Sequence, residues 1–505
     1  MSNNQNQVNQ NETSLKLKCY MDALVSRGYF NGAILVAQHG RILLSEGYGM
    51  ANFEHNVPNS PKTKFRLGSL TKAFTAMAIL QLQEQGKLNI QDYISQHLED
   101  YPNGLLISLH HLLSNSSGIP DYPGFPRYWE QTQRLYSTIE ETIQMIKDIP
   151  LEFTPGEEHR YSSSPYILLS AIIEKISGIS YGEYIKEKIC LPLHLENTGV
   201  EDCRTIIKNL ASGYSVCKEK IHTEYVDMTL HLGAGAMYST VEDLYLWDRA
   251  LYTNTLVNKD SLKILFDQYT TYCGSYGWVI DEQIINNQPR KRIGHFGSMN
   301  GFGSDFNRYV NDDLVIIVLS NFDLTPVQRI SQCLAEIAYG GELQELAITN
   351  PIHINESIMK QLEGIYEYGL FTEQDQYLER NMQESLVQLI DMDIPKISVG
   401  LFCKVFREYG INPNSTIIVT YEDCKLYLFM RKNHGAWFKY EIYPVSDQAN
   451  SITCLAKDID ERVVFNINPS GVIRIVHFDA YGNETMAYKT QDDDKNDCVT
   501  RTLAD

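Results

Sequence analysis

Phe65-Arg66-Leu67-Gly68-Ser69-Leu70-Thr71-Lys72-Ala73-Phe74-Thr75-Ala76-Met77-Ala78-Ile79-Leu80 is the stretch from which the rest of this 505-residue chain is read. Gly68 and Ser69 predict a helix start. The run from Leu70 to Gln85 is rich in Ala, Leu, Met and Gln and has no Pro, so it should continue as helix until Gly86 stops it. Its first turns are apolar almost all round, which describes a helix buried in a core rather than lying on a surface. Ser69 and Lys72 stand out against that background. Three residues apart on a helix, they share a face. A lysine ammonium at a partly buried helix N-terminus is disfavoured both by desolvation and by the positive end of the dipole, so a neutral amine is predicted. Such an amine is a base within reach of a hydroxyl that is otherwise a weak nucleophile.

The spacing Ser-x-x-Lys is weak by itself. It recurs at Ser215 to Lys218 and at Ser357 to Lys360, but neither copy opens a long apolar helix. An N-capping serine followed by an exposed lysine would account for the tetrad alone; the flanking residues point the other way. Phe-Arg-Leu-Gly-Ser-Leu-Thr-Lys-Ala-Phe-Thr-Ala resembles the nucleophile segment of the penicillin-recognising serine hydrolases. Within them it is most similar to the class C β-lactamase-like branch of esterases, D-amino-acid peptidases and penicillin-binding proteins. The resemblance extends over roughly Gly32 to Asn321. It implies an α/β (α+β) β-lactamase-like fold, an antiparallel sheet flanked by helices with a helical subdomain.

A chain of this length is expected to form two or three domains. Hydrophobic residues make up 43% and charged residues 21%, ordinary for a globular protein. A net charge of -20 argues against nucleic acid and anionic membrane surfaces as partners, because both require basic patches. Residues 1–13 are Asn- and Gln-rich, without the features of a signal peptide, and read as a disordered leader. No apolar run is long enough to span a bilayer. Ten cysteines are scattered without a Cys-x-x-Cys pair, so they are read as free thiols in a reducing compartment, and the protein as cytoplasmic.

Ser14 to Tyr29 predicts an amphipathic helix, and Gly32 to Gly49 a hairpin turning at His39-Gly40. Leu109-His110-His111 has no acidic or cysteine partner at ligand spacing, so metal is not expected. Asp121 to Tyr136, with Tyr122, Phe125, Tyr128 and Trp129, is an aromatic loop that either rims a substrate site or packs over the helical part. Phe153 to Leu169 contains a Pro-Gly turn, then Tyr161-Ser162-Ser163, then an apolar helix ending at Gly178. It is similar to the family's Pro-Gly and Tyr-Ser-Asn segment, where the tyrosine relays protons; the resemblance thus implies that role for Tyr161, and a substrate-binding role for position 163. Here Ser163 stands where asparagine is usual, as Asn115-Ser116 stands in place of the family's His-Thr in a His-Thr-Ser-Gly string. Gly233 to Trp247 resembles a segment of close backbone packing, with Ser239 or Thr240 starting a helix. Gly294-His295-Phe296-Gly297-Ser298 aligns with the Lys-Thr-Gly or His-x-Gly strand of the family. That implies His295 on the far wall of the pocket, Gly297 against the substrate, and an oxyanion hole from the Ser69 and Ser298 amides.

Past residues 351–363, a linker with an entry helix, the character changes to short alternating runs between turns. They predict an antiparallel barrel over 364–491, matching the lipocalin-like module often appended to this family, and a polar tail over 492–505. The catalytic domain is thereby set at 14–350. The expected activity is that of a serine hydrolase on small esters, D-amino-acid peptides or β-lactam-like amides, with no metal or organic cofactor and with oligomeric partners unassigned. Ser163 and the Asn115-Ser116 departure favour one competitor, a catalytically weak acyl-binding or scaffold protein of the same fold. An α/β-hydrolase would require a Gly-x-Ser-x-Gly elbow and a zinc hydrolase His-Glu-x-x-His, and both are read as absent from the chain.

Overall fold

A computed structural model describes residues 2–124, 128, 131–269, 274–342, 350–368, 416–431, 437–448, 450–468, 471 and 473–489. The chain divides into two compact units. One comprises residues up to 25, 30–214 and 223–344; the other gathers 26–29, 215–222 and the region from 345 onward.

In the first unit the hairpin forms as predicted. Strands β1 (Gly32–Gln38) and β2 (Arg41–Tyr48) pair across a turn in which both His39 and Gly40 take positive φ. They join β3 (Val279–Ile285), β4 (Gln288–Met299), β5 (Phe302–Tyr309) and β6 (Leu314–Ser320) in one antiparallel sheet of order β3-β4-β5-β6-β1-β2. β6 is buried throughout, which is why Leu314-Val-Ile-Ile-Val-Leu-Ser shows no alternation.

Helix α1 (Ser2–Ser26) begins twelve residues before the predicted Ser14, so the stretch read as a disordered leader is helical from Ser2. Its buried residues Leu17, Met21 and Leu24 are those of the predicted apolar face. The decisive stretch forms a 3-10 turn over Gly68–Leu70 and then α2 (Thr71–Glu84), all of whose residues from Thr71 to Leu82 are buried. α3 (Ser164–Ser177) stops at Gly178, which adopts the left-handed conformation at φ +75°. The Gly233 to Trp247 segment gives α4 (Val241–Ala250), capped by the Thr240 hydroxyl. α5 (Val327–Ala338) packs on β5 and β6.

The approach to the Gly68–Leu70 turn is pinned by a buried ion pair. Arg66 donates to both carboxylate oxygens of Glu201, at 2.8 and 2.7 Å. Removing the guanidinium would leave that carboxylate buried without its partner. Arg66→Met is therefore expected to lower stability by about 3 kcal/mol, read from urea or thermal unfolding; an unchanged midpoint would contradict this.

The second unit contains a closed barrel. Strands β7 (Gly364–Tyr368), β8 (Thr416–Glu422), β9 (Lys425–Arg431), β10 (Trp437–Gln448), β11 (Ser451–Ala456), β12 (Arg462–Ile467), β13 (Ile473–Phe478) and β14 (Glu484–Lys489) pair antiparallel in succession. β14 returns to β7, closing an eight-stranded up-and-down barrel. The alternating runs that begin at Ile417, Lys425, Trp437, Val463 and Val472 locate five of these strands. They missed β7, β11 and β14, and they missed a hairpin of Tyr214–Cys217 with Glu219–His222 that adds to β10 through a parallel bridge from Cys217 to Lys439. Lys218, from the second Ser-x-x-Lys copy, pairs there with Glu422, which also holds Lys439 at 2.6 Å. The barrel unit is thus not the contiguous 364–491 segment predicted, since residues 26–29 and 215–222 belong with it. The predicted tail over 492–505 lies outside the described residues.

Candidate active site

Ser69 sits in the 3-10 turn rather than in the α-helix, and no side-chain cap is formed by the residues that open either element. Its oxygen is engaged elsewhere. The Tyr161 hydroxyl donates to Ser69 Oγ at 2.6 Å, and Lys72 Nζ donates to the same oxygen at 3.1 Å. Lys72 also donates to the Tyr161 hydroxyl at 2.7 Å, to Ser163 Oγ at 3.4 Å and to the Ala234 carbonyl at 3.2 Å. The lysine residue is 1% exposed. Four oxygens around one buried amine are more acceptors than an ammonium has protons, so the hydrogens can be redistributed without moving heavy atoms.

Two glycines bring β4 against this turn. Gly68 has φ +52°, and a Cβ there would fall 2.7 Å from Ser298 N. A Cβ on Gly297 would lie 2.0 Å from the Leu67 carbonyl and 2.9 Å from Ser69 N. Only a strand without a side chain at 297 can approach so closely, and the Ser69 and Ser298 backbones adjoin as a result. Ser304 Oγ, on the neighbouring strand, donates to the Leu67 carbonyl at 2.7 Å. Gly277, at φ +74°, makes a similar approach to the Lys72 carbonyl.

His295 shares the Gly297 face of β4 and is buried, its ring centroid 6.1 Å from that of Tyr161. Burial, with Lys72 adding a like charge, pushes its pKa down to about 4. The imidazole is therefore neutral at ordinary pH. Its Nδ1 faces the Phe296 carbonyl at 2.5 Å, an atom that only accepts, so Nδ1 carries the proton and Nε2 is left as an acceptor.

The structure thus brings Ser69, Lys72, Tyr161 and Ser163 into one hydrogen-bonded set, with Gly297, Ser298 and His295 on the adjoining strand. Sequence reasoning missed three participants. One is the Ala234 carbonyl, although its Gly-Ala-Gly-Ala string was read as close backbone packing. Another is Gly277, and the third is Asp121, whose carboxylate accepts from Ser163 N at 2.7 Å. Nothing about these positions in the sequence marks them out. Tyr122 and Tyr128 of the aromatic loop are buried, their hydroxyls on the two ring nitrogens of His231 at 2.6 and 2.9 Å, so they pack inward. Phe125 and Trp129 lie outside the described residues. His110 Nδ1 meets the Tyr276 hydroxyl at 2.6 Å, and His111 forms a capping box with Ser108.

One exclusion needs correcting. Gly178-Ile179-Ser180-Tyr181-Gly182 does carry the Gly-x-Ser-x-Gly spacing. It follows helix α3 rather than a strand, and the Ser180 hydroxyl accepts from Glu183 N as a helix cap, so it is no nucleophile elbow.

Residues 17–332 match the family model described as Beta-lactamase. Penicillin-binding protein 4* of Bacillus subtilis (strain 168) is 31% identical over 331 residues, covering 60% of this chain and 71% of that protein. A teichoic acid D-alanine hydrolase of Staphylococcus aureus is 27% identical over 315 residues, covering 60% of this chain and 72% of that protein. The octameric penicillin-binding protein homologue from Pyrococcus abyssi superposes with a TM-score of 0.58 at 22% identity, over 94% of this chain and 99% of that one. At that identity the likeness is one of fold.

Proposed function

Since the chain belongs to the Beta-lactamase family, we propose that it is a serine hydrolase working through an acyl-enzyme on Ser69. The observation that carries this reading is the bracketing of Ser69 Oγ by the Tyr161 hydroxyl at 2.6 Å and Lys72 Nζ at 3.1 Å. In the first step Ser69 attacks an acyl carbonyl while its proton passes to the Lys72 and Tyr161 pair. The Ser69 and Ser298 amides receive the negative charge that develops on the carbonyl oxygen. The same pair returns the proton to the leaving group, and a water then releases the acyl chain by the reverse sequence. His295, neutral with Nε2 as an acceptor, orients a donor of the substrate or the incoming water.

The substrates we propose are small esters ahead of D-amino-acid peptides and β-lactams. Ser163 supports that order. An asparagine there would offer both a donor and an acceptor to a substrate amide, whereas serine is shorter and brings one hydroxyl, already 3.4 Å from Lys72. An amide that depended on the contact would lose roughly 1–3 kcal/mol if buried. An ester with a plain acyl chain loses nothing. Ser163→Asn is therefore expected to raise kcat/KM for a penicillin or D-peptide by about tenfold while leaving a short-chain ester nearly unchanged. A wild type that already prefers the penicillin would contradict the assignment.

No helix among the described residues is long and apolar enough to cross a membrane. The cytoplasmic placement we propose rests on the thiols, since none of the described cysteines forms a disulfide. The direct test of the whole reading is a fluorophosphonate probe competed by a short-chain ester. Stoichiometric labelling that the ester slows is expected, and a protein that hydrolyses the ester yet resists the probe would overturn it.

A further inference from the structure

We infer that Asp121 is a positioning residue, which holds Lys72 in its working arrangement through Ser163. The inference rests on the serine-hydrolase reading above and adds a residue to it. Ser163 reaches Lys72 at 3.4 Å, against 2.7 Å for Tyr161 and 3.1 Å for Ser69, so by itself it is a weak hold. Asp121 stands behind it. Its carboxylate accepts the Ser163 N–H at 2.7 Å.

The same two segments are already fastened by other bonds. The Ser164 hydroxyl donates to the Pro120 carbonyl at 2.6 Å and accepts from Tyr122 N at 3.0 Å. Holding the loop does not require a carboxylate in addition. What the carboxylate adds is direction and charge. A serine has one proton and two lone pairs. The bond to Ser163 N fixes the backbone at 163, so the hydroxyl is held where a lone pair faces Lys72. The negative charge lies within electrostatic reach of Lys72 itself, which attracts it, whereas Glu152, paired with Arg160 at 3.0 Å, opposes it. Asp121 thereby stands in for the reach that a longer side chain at 163 would have had.

The test is Asp121→Asn, which keeps an oxygen for the Ser163 N–H but removes the charge and can turn a donor toward Ser163 Oγ. The expected result is a fall in kcat of about tenfold with KM within about twofold. It should be the same for an uncharged acetyl ester and for a D-alanyl ester bearing a free ammonium. The titratable groups within electrostatic reach of Asp121 are Lys72, Glu152, Tyr122 and Tyr128. Burial raises the Asp121 pKa, so wild-type kcat should decline on the acid side at a pH above the ordinary carboxylate range, as the carboxylate takes up a proton. That limb should vanish in Asp121→Asn, leaving the low plateau. His295, pushed down to about 4, is untouched by the substitution, so any limb it contributes persists in Asp121→Asn. In a Ser163→Ala background the Asp121→Asn change should cost little more, because the intermediary is gone.

A variant with wild-type kcat at every pH overturns the inference, as does full multiplicative loss in the double variant. A loss confined to KM for the D-alanyl ester also overturns it and makes Asp121 a receptor for the substrate ammonium. Fluorophosphonate labelling separates the two levels. Labelling of Asp121→Asn at Ser69 with unchanged turnover sinks the inference alone, whereas a wild type that neither labels nor hydrolyses takes both down.

Discussion

Ser69→Ala is expected to remove hydrolysis and covalent labelling altogether, with a loss in kcat on the order of a million-fold or more, while the fold stays intact. The reason is the position of the hydroxyl. Ser69 Oγ is bound to Tyr161 and Lys72 rather than to a helix-capping amide. Removing it therefore costs less than the ~1 kcal/mol that a capping serine would. The melting temperature should move little. Ser215→Ala and Ser357→Ala serve as controls: Ser215 belongs to the barrel unit, and Ser357 donates to the Asn355 side chain at a helix cap. Neither should alter the rate. Residual turnover of the alanine enzyme above about a thousandth of wild type would mean that another group is the nucleophile.

The second large effect is expected of Lys72→Arg. Arginine keeps the positive charge, but a guanidinium does not give up its proton at any accessible pH and so cannot serve as a base. It is also larger and planar, in a space bounded by Tyr161, Ser163 and the Ala234 carbonyl. Turnover should fall by about a thousand-fold or more, and the pH dependence that belongs to proton transfer in the site should disappear. Were Lys72 a structural cation only, the arginine enzyme would keep most of its rate. Fold loss is distinguished by a melting curve and by Lys72→Met, which fills the space without charge and should be equally inactive.

Much of this architecture was legible because the sequence signals were long and redundant. The Thr71–Glu84 helix is apolar on all sides, and its burial on all sides follows. The β1 and β2 hairpin carries its own turn, and α3 carries its stop at Gly178. What escaped was decided by tertiary contact. β14, Glu484-Thr-Met-Ala-Tyr-Lys, has one buried residue, Ala487, and owes its strand state to the pairing of both its edges. The hairpin over 214–222 is short, with Glu219–His222 fully exposed, and its place is set by a salt bridge to Glu422 and one to Asp458. No local pattern announces such partners.

The site divides in the same way. Ser69, Lys72, Tyr161 and His295 sit in strings with flanking features that can be recognised. Asp121 and the Ala234 carbonyl reach Ser163 and Lys72 because separate segments converge there, a fact of packing rather than of spacing. The contact that engages the Ser69 hydroxyl is equally long-range, since Tyr161 is 92 residues away in sequence.

The most direct test is to label the protein with a fluorophosphonate, digest with trypsin and sequence the modified peptide by mass spectrometry. Cleavage after Arg66 and Lys72 isolates Leu67-Gly68-Ser69-Leu70-Thr71-Lys72, which has two hydroxyls. That of Thr71 is buried and accepts from Met237 N at 3.2 Å, so it is shielded from the probe. The adduct is predicted on Ser69, one per chain, and absent after mild heat denaturation or in Ser69→Ala. An adduct on any other residue of an enzyme that hydrolyses the ester would contradict the assignment of Ser69 as the nucleophile.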